Sequence, residues 1–131
     1  MLDSGRLPGA TALASAPTIV LKDGQPIIAL GAAGGPKIIS AVLQELVELL
    51  DLNHTPAEAV AAPRIHQQWS PDELLVEPSL SLELQKSLAG SGQKIKVGKI
   101  GSTSHIVARS ADGKSFIGAA DPRSDGTAAG W

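Results

Sequence analysis

The chain has 131 residues, 11 of them basic and 13 acidic, for a formal charge of −2. That length fits one domain or a large part of one, and without any block of like charge nothing suggests a nucleic-acid or anionic-membrane partner. There is no Cys, which excludes a disulfide scaffold and a thiolate metal site, and no apolar run approaches the ~20 residues needed to cross a bilayer.

Apolar residues make up 43% of the chain, yet Tyr is absent, Phe116 is the one Phe, and Trp69 and Trp131 are the two Trp. The core must therefore come from aliphatic side chains of helices packed on sheet. The shortage of aromatics also argues against a platform for stacking nucleic-acid bases.

Residues 1–15 are rich in Gly, Ser, Ala and Pro without a period, and read as a flexible lead-in to a unit spanning 16–131. Met1 to Gly9 lacks the basic-then-apolar pattern of a signal peptide. Thr18 to Lys22 and Pro26 to Leu30 read as strands, and Asp23-Gly24 between them is a strong hairpin signal. Gly31-Ala32-Ala33-Gly34-Gly35 follows, and then Pro36 opens a helix. Ile38, Ile39, Val42, Leu43, Leu46, Val47, Leu49 and Leu50 form its broad apolar stripe, with Lys37, Gln44, Glu45 and Glu48 largely off it. Pro36 suits the first helical position, where its missing N–H is not needed. The glycine pair thus sits where a strand gives way to a helix.

Thr55-Pro56-Ala57-Glu58 is a capping-box pattern for a short helix to about Ala62, closed by Pro63. Residues 64–73 read as an irregular polar stretch. Leu74 to Glu77 is a short strand. Ser81 caps a helix through Leu88, closed by Gly90 and Gly92. Lys94 to Val97 alternates as a half-buried strand does, and Ser104–Arg109 with Ser115–Gly118 make a second hairpin around Asp112-Gly113. The order β-β-α-α-β-α-β-β-β predicts an α+β layer fold rather than repeated βαβ units.

Four segments together resemble the γ-glutamyltransferase (glutathione hydrolase) family, in the C-terminal portion of its small subunit. Pro17 to Gly24 is similar to the family's "SPTIV…DG" hairpin, and Gly31 to Ile39 to its "GSPGGSRI" loop. Ala57 to Trp69 resembles "AEAV-x-APR-x-HxQ", and Gly118 to Arg123 resembles "GA-x-DPR", with Gly130-Trp131 where an aromatic often closes the chain. The resemblance implies part of an N-terminal-nucleophile hydrolase, an αββα sandwich with mixed, mostly antiparallel sheet assembled from both subunits. A Thr exposed by self-cleavage attacks the γ-glutamyl amide of glutathione, its own α-amine serving as base, and the acyl group passes to water or an amine. No cofactor is implied. Family members are often periplasmic or extracellular.

On that resemblance Gly34 and Gly35 match the oxyanion-hole glycines. Acyl transfer needs preorganised N–H donors aimed at the carbonyl oxygen, and adjacent glycines before a helix N-terminus can supply them. They also serve simply to turn the chain between strand and helix. The family's paired Ser residues, which hold the substrate α-carboxylate, fall on Leu13 and Ala14, with Ser15 as the substitute if the register slips. That puts γ-glutamyl specificity in question. The nucleophile lies tens of residues before this hairpin in the family. Thr11, Thr18, Thr55, Thr103 and Thr127 are internal and have no free α-amine, so the isolated chain is expected to be inactive.

His54, His66 and His105 are too scattered for a helix-borne metal pair. A Ser104–His105–Asp121 triad has no support in spacing, and each His reads as structural. Asp121-Pro122-Arg123 is expected to form a turn with an internal ion pair, and Trp69 and Trp131 to pack. The partners implied are a γ-glutamyl compound and the missing N-terminal part of the same precursor, with self-association through open strand edges as a further possibility. The alternatives are a non-catalytic binding module of this family and a related acylase acting on a different acyl group.

Overall fold

A computed structural model describes residues 17–130. The expected lead-in, Leu13, Ala14, Ser15 and Trp131 lie outside the described residues. The elements run β1 (Thr18–Lys22), β2 (Gln25–Ala33), α1 (Lys37–Leu50), α2 (Pro56–Ala61), β3 (Ile65–Gln68), β4 (Glu73–Val76), α3 (Leu82–Gly90), β5 (Ile95–Val97), β6 (Thr103–Arg109) and β7 (Phe116–Ala120).

The strands form two sheets. One is antiparallel throughout, in the order β1-β2-β6-β7. The other is mixed, with β3 antiparallel and β5 parallel to the central β4. The β1–β2 turn places Asp23 at φ 51° and Gly24 at φ 76°. Two left-handed residues in a row are what a tight hairpin demands, and Asp-Gly supplies them at little steric cost. Thr55 closes its capping box as expected: its hydroxyl accepts from the Glu58 N–H, and the Glu58 carboxylate accepts from the Thr55 N–H at 2.8 Å.

The sequence reading is corrected at β3, since the stretch 64–73 is not wholly irregular. Ile65–Gln68 pairs residue for residue with Glu73–Val76. A four-residue strand with three polar members carries no alternation to detect. What stabilises it is tertiary: its hydrogen-bond partners in β4 and the side chains of α1. A smaller correction concerns Pro36, which caps α1 from outside with helical torsions (φ −61°, ψ −18°) and leaves Lys37 as the first helical residue.

Helices α1 and α2 cover one face of the larger sheet. Ile28, Leu30, Ile106, Ala108 and Ala119 from the strands meet Ala59 and Val60 of α2, and Val42, Leu46 and Leu49 of α1 pack against them. Each fully buried aliphatic side chain contributes roughly 1.5–3 kcal/mol relative to exposure, and all five strand residues belong to the core-facing row. A second cluster, Ala32, Ile38 and Ala41, ties the end of β2 to the start of α1. Leu74, Val76 and Leu80 form a third, under the smaller sheet. Ile19 and Val107 project from the opposite face of the larger sheet and are exposed. The C-terminal segment reaches part of that face: a Cβ on Gly118 would stand 3.2 Å from the Ala128 Cβ.

Candidate functional site: a glycine loop braced by a buried ionic cluster

Strand β2 ends at Ala33 and α1 begins at Lys37, so the glycine pair occupies the junction foreseen from sequence. Gly34 has φ +135° and Gly35 φ +62°. The two positions demand glycine for different reasons. A Cβ on Gly34 would lie 2.8 Å from both the Gly101 carbonyl oxygen and the Ser102 Cα, so neighbouring backbone forbids any side chain. At Gly35 nothing among the described residues stands within 4 Å, and the left-handed torsion is what requires glycine.

The loop opens a 14-residue helix whose N-terminus has no side-chain cap and no acidic residue in its first turn. Among the described residues, neither the Gly34 nor the Gly35 N–H donates to a protein acceptor, while the Gly35 carbonyl accepts from the Ile38 N–H at 3.1 Å. Free N–H groups at the positive end of a helix favour an anion. A cleft of about 310 Å³, lined by Gly31, Ala32, Ala33, Thr103 and His105, lies beside the end of β2.

Behind the loop sits a feature the sequence did not announce. Glu45 was expected off the apolar stripe, but it is buried. Its position follows Ile38 and Ala41 along one helix face, at steps of three and four residues, and those two are buried as well. That spacing was the available signal. Glu45 Oε1 lies 2.5 Å from Nη2 of Arg64, which is 2.7 Å from Asp121 Oδ2 and donates to Ser104 Oγ at 2.8 Å. The Ser104 hydroxyl also contacts Glu45 Oε1. Nη1 of Arg64 donates to the Ser102 carbonyl at 2.8 Å. Arg64 therefore holds the backbone against which Gly34 packs.

Arg123 extends the cluster. Its Nε donates to Glu77 at 2.7 Å and its Nη2 to the second oxygen of that carboxylate. Nη1 reaches the Val60 carbonyl at 2.6 Å and Asp121 at 3.1 Å, and Nη2 reaches the Ala62 carbonyl at 2.8 Å. The guanidinium is thus committed to internal acceptors, which matches the ion-paired turn expected at Asp121-Pro122-Arg123. Residues 77, 101, 102, 103 and 123 also line a cleft of about 550 Å³.

Burial pushes the Glu45 carboxyl above the usual carboxylate range, against the opposing pull of Ser104 and Arg64. Burial acts on Asp121 too, but the Arg123 backbone N–H and the Arg64 and Arg123 guanidiniums outweigh it and leave its pKa lowered. Glu77 is lowered in the same way, by Arg123 and by the Arg64 N–H. Three carboxyl groups face two guanidiniums here, and Glu45 is the one whose neutral form burial favours. Its Oε2 and the Arg64 Nε are buried without a partner among the described residues.

Arg64, Ile65 and His66 are each bound by α1. Glu45 takes Arg64. The Gln44 amide donates to the Ile65 carbonyl at 2.7 Å and accepts from the Ile65 N–H at 2.8 Å, as a strand would. Ser40 Oγ lies 2.7 Å from His66 Nδ1. The other ring nitrogen is 3.0 Å from Gln68 Oε1, an acceptor, and the Ser40 hydroxyl also donates to the Lys37 carbonyl at 3.1 Å.

His54 pairs with Glu48 at 2.5 Å on the surface. Ser104 is buried and His105 exposed, on alternate faces of β6, so the two do not join in a triad. Trp69, expected to pack, is 91% exposed beyond the end of β3. Among the described residues no group of three His, Asp or Glu side chains could hold a metal ion, and no helix is long and apolar enough to cross a membrane.

This arrangement, a mixed α+β scaffold presenting a glycine loop at an uncapped helix start, defines a piece of an N-terminal-nucleophile hydrolase fold, as comparison with solved structures bears out. Over 94% of its length the chain superposes on 66% of a chain of a mutant Helicobacter pylori gamma-glutamyltranspeptidase, with a TM-score of 0.80 and 32% identity. Residues 8–131 match the gamma-glutamyltranspeptidase family, and the chain belongs to it. Against the glutathione hydrolase proenzyme of Escherichia coli K12 it is 45% identical across 117 residues, which cover 88% of this chain and 20% of that protein. The chain thus spans about a fifth of the length of that relative. A cephalosporin acylase from Bacillus halodurans shares the fold at a TM-score of 0.81 and 28% identity, over 88% of this chain and 22% of its own.

Proposed function

We propose that this chain contributes the oxyanion loop of a glutathione hydrolase-type acyl transferase, in which the Gly34 and Gly35 N–H groups stabilise the negative charge on a γ-glutamyl carbonyl oxygen. The attacking Thr hydroxyl, with its α-amine as base, comes from another part of a longer polypeptide. Attack moves the carbonyl electron pair onto oxygen. The two N–H dipoles and the start of α1 lower the energy of that state without having to reorganise. Collapse expels the amine and leaves the acyl group on the Thr, from which water or an acceptor amine removes it.

The single observation that carries this is the pair of N–H groups at an uncapped helix start that have no protein acceptor among the described residues. Further support comes from the bracing behind them: Arg64 fixes the Ser102 carbonyl, and the 101–102 backbone in turn fixes Gly34. Preorganisation of this kind is where most of the rate in acyl transfer originates. On the same proposal Ser15 is the substitute contact for the substrate α-carboxylate.

The test is release of the chromophoric amine from a γ-glutamyl anilide. The complete polypeptide should turn it over and the isolated 131-residue chain should not. Robust turnover by the isolated chain would refute the division of labour.

A second substrate class is favoured by two observations. Leu13 and Ala14 stand where the family's paired Ser residues are expected, and the chain shares its fold with a cephalosporin acylase. A complete polypeptide that ignores γ-glutamyl anilide but cleaves another acyl amide would establish that alternative.

A further inference from the structure

A cleft borders each end of the glycine loop. The one at the end of β2 includes Ala33, Thr103 and His105 in its lining and has no Lys or Arg. The other, of about 180 Å³, lies where α1 begins, and Lys37, His66, Gln68, Glu73 and Lys96 are among the residues that line it. Its charge is opposite to that of the whole chain. Two ammonium groups, of Lys37 and Lys96, stand against the single carboxylate of Glu73 in a chain of formal charge −2.

Lys96 takes that carboxylate at 3.0 Å. Lys37 has no carboxylate within ion-pairing distance among the described residues. Its ammonium lies 3.9 Å from where a Cβ on Gly101 would stand, and Gly101 is the residue whose carbonyl crowds Gly34. An unpaired positive charge therefore sits beside the glycine loop and lines the cleft. The wall next to it is polar and held in place, since His66 is buried with its ring nitrogens against Ser40 and Gln68.

We propose that this cleft receives the carboxylate of the amine half of the substrate, the peptide that leaves the acyl group or accepts it, with Lys37 as the charged contact. The inference rests on the reading above that Gly34 and Gly35 receive the carbonyl oxygen. A γ-glutamyl group carries one ammonium and one carboxylate and is neutral as a whole. The amine half of glutathione, cysteinylglycine, carries one carboxylate and, while bonded as an amide, no counter-charge. The half with unbalanced negative charge belongs in the cleft with unbalanced positive charge.

Length points the same way. Lys37 follows Gly35 by two residues, so their Cα atoms are at most about 7.6 Å apart, and an extended dipeptide covers about 7 Å. A single amino acid covers half of that and leaves its carboxylate short. At about 180 Å³ the cleft is also smaller than the roughly 300–1,000 Å³ of pockets that enclose a whole drug-sized ligand. It suits the end of a peptide.

The test uses the complete polypeptide with γ-glutamyl anilide as donor. Glycylglycine and glycylglycinamide, which differ in the terminal carboxylate, serve as acceptors, and the transfer product is read by mass spectrometry. The parent should prefer glycylglycine by about tenfold in kcat/KM, as one charge-assisted hydrogen bond would give. Lys37→Met should bring that ratio close to one, and Lys37→Arg should keep most of it. A merely structural role for Lys37 would slow both acceptors alike and leave the ratio unchanged. Saturation-transfer NMR with glycylglycine reads binding without turnover, and its signal should be lost in Lys37→Met. No preference in the parent, or a preference that survives Lys37→Met, would overturn the proposal. A polypeptide that binds glycylglycine through Lys37 but releases nothing from γ-glutamyl anilide would leave the carboxylate contact standing and defeat the functional proposal instead.

Discussion

Glu45 in α1 and Arg64, at the entry to β3, meet 2.5 Å apart with both side chains almost wholly out of water. They are 19 residues apart in sequence, and the contact joins the helix that follows the glycine loop to the smaller sheet. Because Arg64 also holds Asp121, Ser104 and the Ser102 carbonyl, removing it leaves buried Glu45 without its guanidinium and Asp121 with Arg123 alone.

Arg64→Ala is therefore expected to cost about 3–5 kcal/mol, the usual penalty for leaving buried charge uncompensated. Glu45→Gln should cost far less, since burial already favours the neutral form of that carboxyl. Urea denaturation of both variants checks the ordering. A Glu45→Gln variant as unstable as Arg64→Ala would show that the ionised Glu45 holds the cluster together.

The pH dependence separates the carboxylates. Asp121 and Glu77 have lowered pKa values in the folded state, so the unfolded chain binds more protons near pH 4. Their stabilisation is complete above the unfolded values and is lost as pH falls through the folded ones. Glu45 has the opposite sign: its folded pKa is raised, so its ionisation subtracts stability as pH climbs from the unfolded value through the folded one. The Glu45→Gln variant should thus gain on the parent chain as pH rises above about 4.5, near the carboxyl's ordinary value. Denaturation midpoints measured from pH 3 to 8 would show it, and a constant difference between the two proteins would contradict it.

The two glycines should respond differently to Ala. Gly34→Ala forces a methyl group onto the Gly101–Ser102 backbone and should cost about 1–3 kcal/mol as overpacking, in addition to its torsional strain. Gly35→Ala meets no atom and should cost only the roughly 1–2 kcal/mol of a left-handed non-glycine residue. In the complete polypeptide the first should slow the γ-glutamyl anilide reaction more than the second, because it displaces the loop instead of merely straining it. Equal stability and equal rates in the two variants would contradict the crowding at Gly34.

Gln44→Leu tests the strand-like role of its amide. The substitution leaves the Ile65 N–H and carbonyl without their helix partner. A loss of about 1–3 kcal/mol is expected, as for buried polar groups left unsatisfied. Hydrogen exchange at the Ile65 amide is the direct readout, and unchanged protection would mean that water or another group replaces the side chain.

From the sequence alone, the hairpin at Asp23-Gly24, the capping box at Thr55, the glycine pair before α1 and the family were all legible, because each depends on residues close in the chain. Torsional demands and helix-end chemistry are local, and a short motif records them completely. What the sequence did not yield was β3, the burial of Glu45, the exposure of Trp69 and the brace from Arg64 through Ser102 to Gly34. The buried charges depend on groups brought together across 19 positions for Glu45 and Arg64 and 59 for Ser104 and Glu45, where a polar residue becomes a core residue only once its counter-charge has arrived. Local preference set the turns and caps; the pairing of charges in a space that excludes water was decided by the tertiary fold.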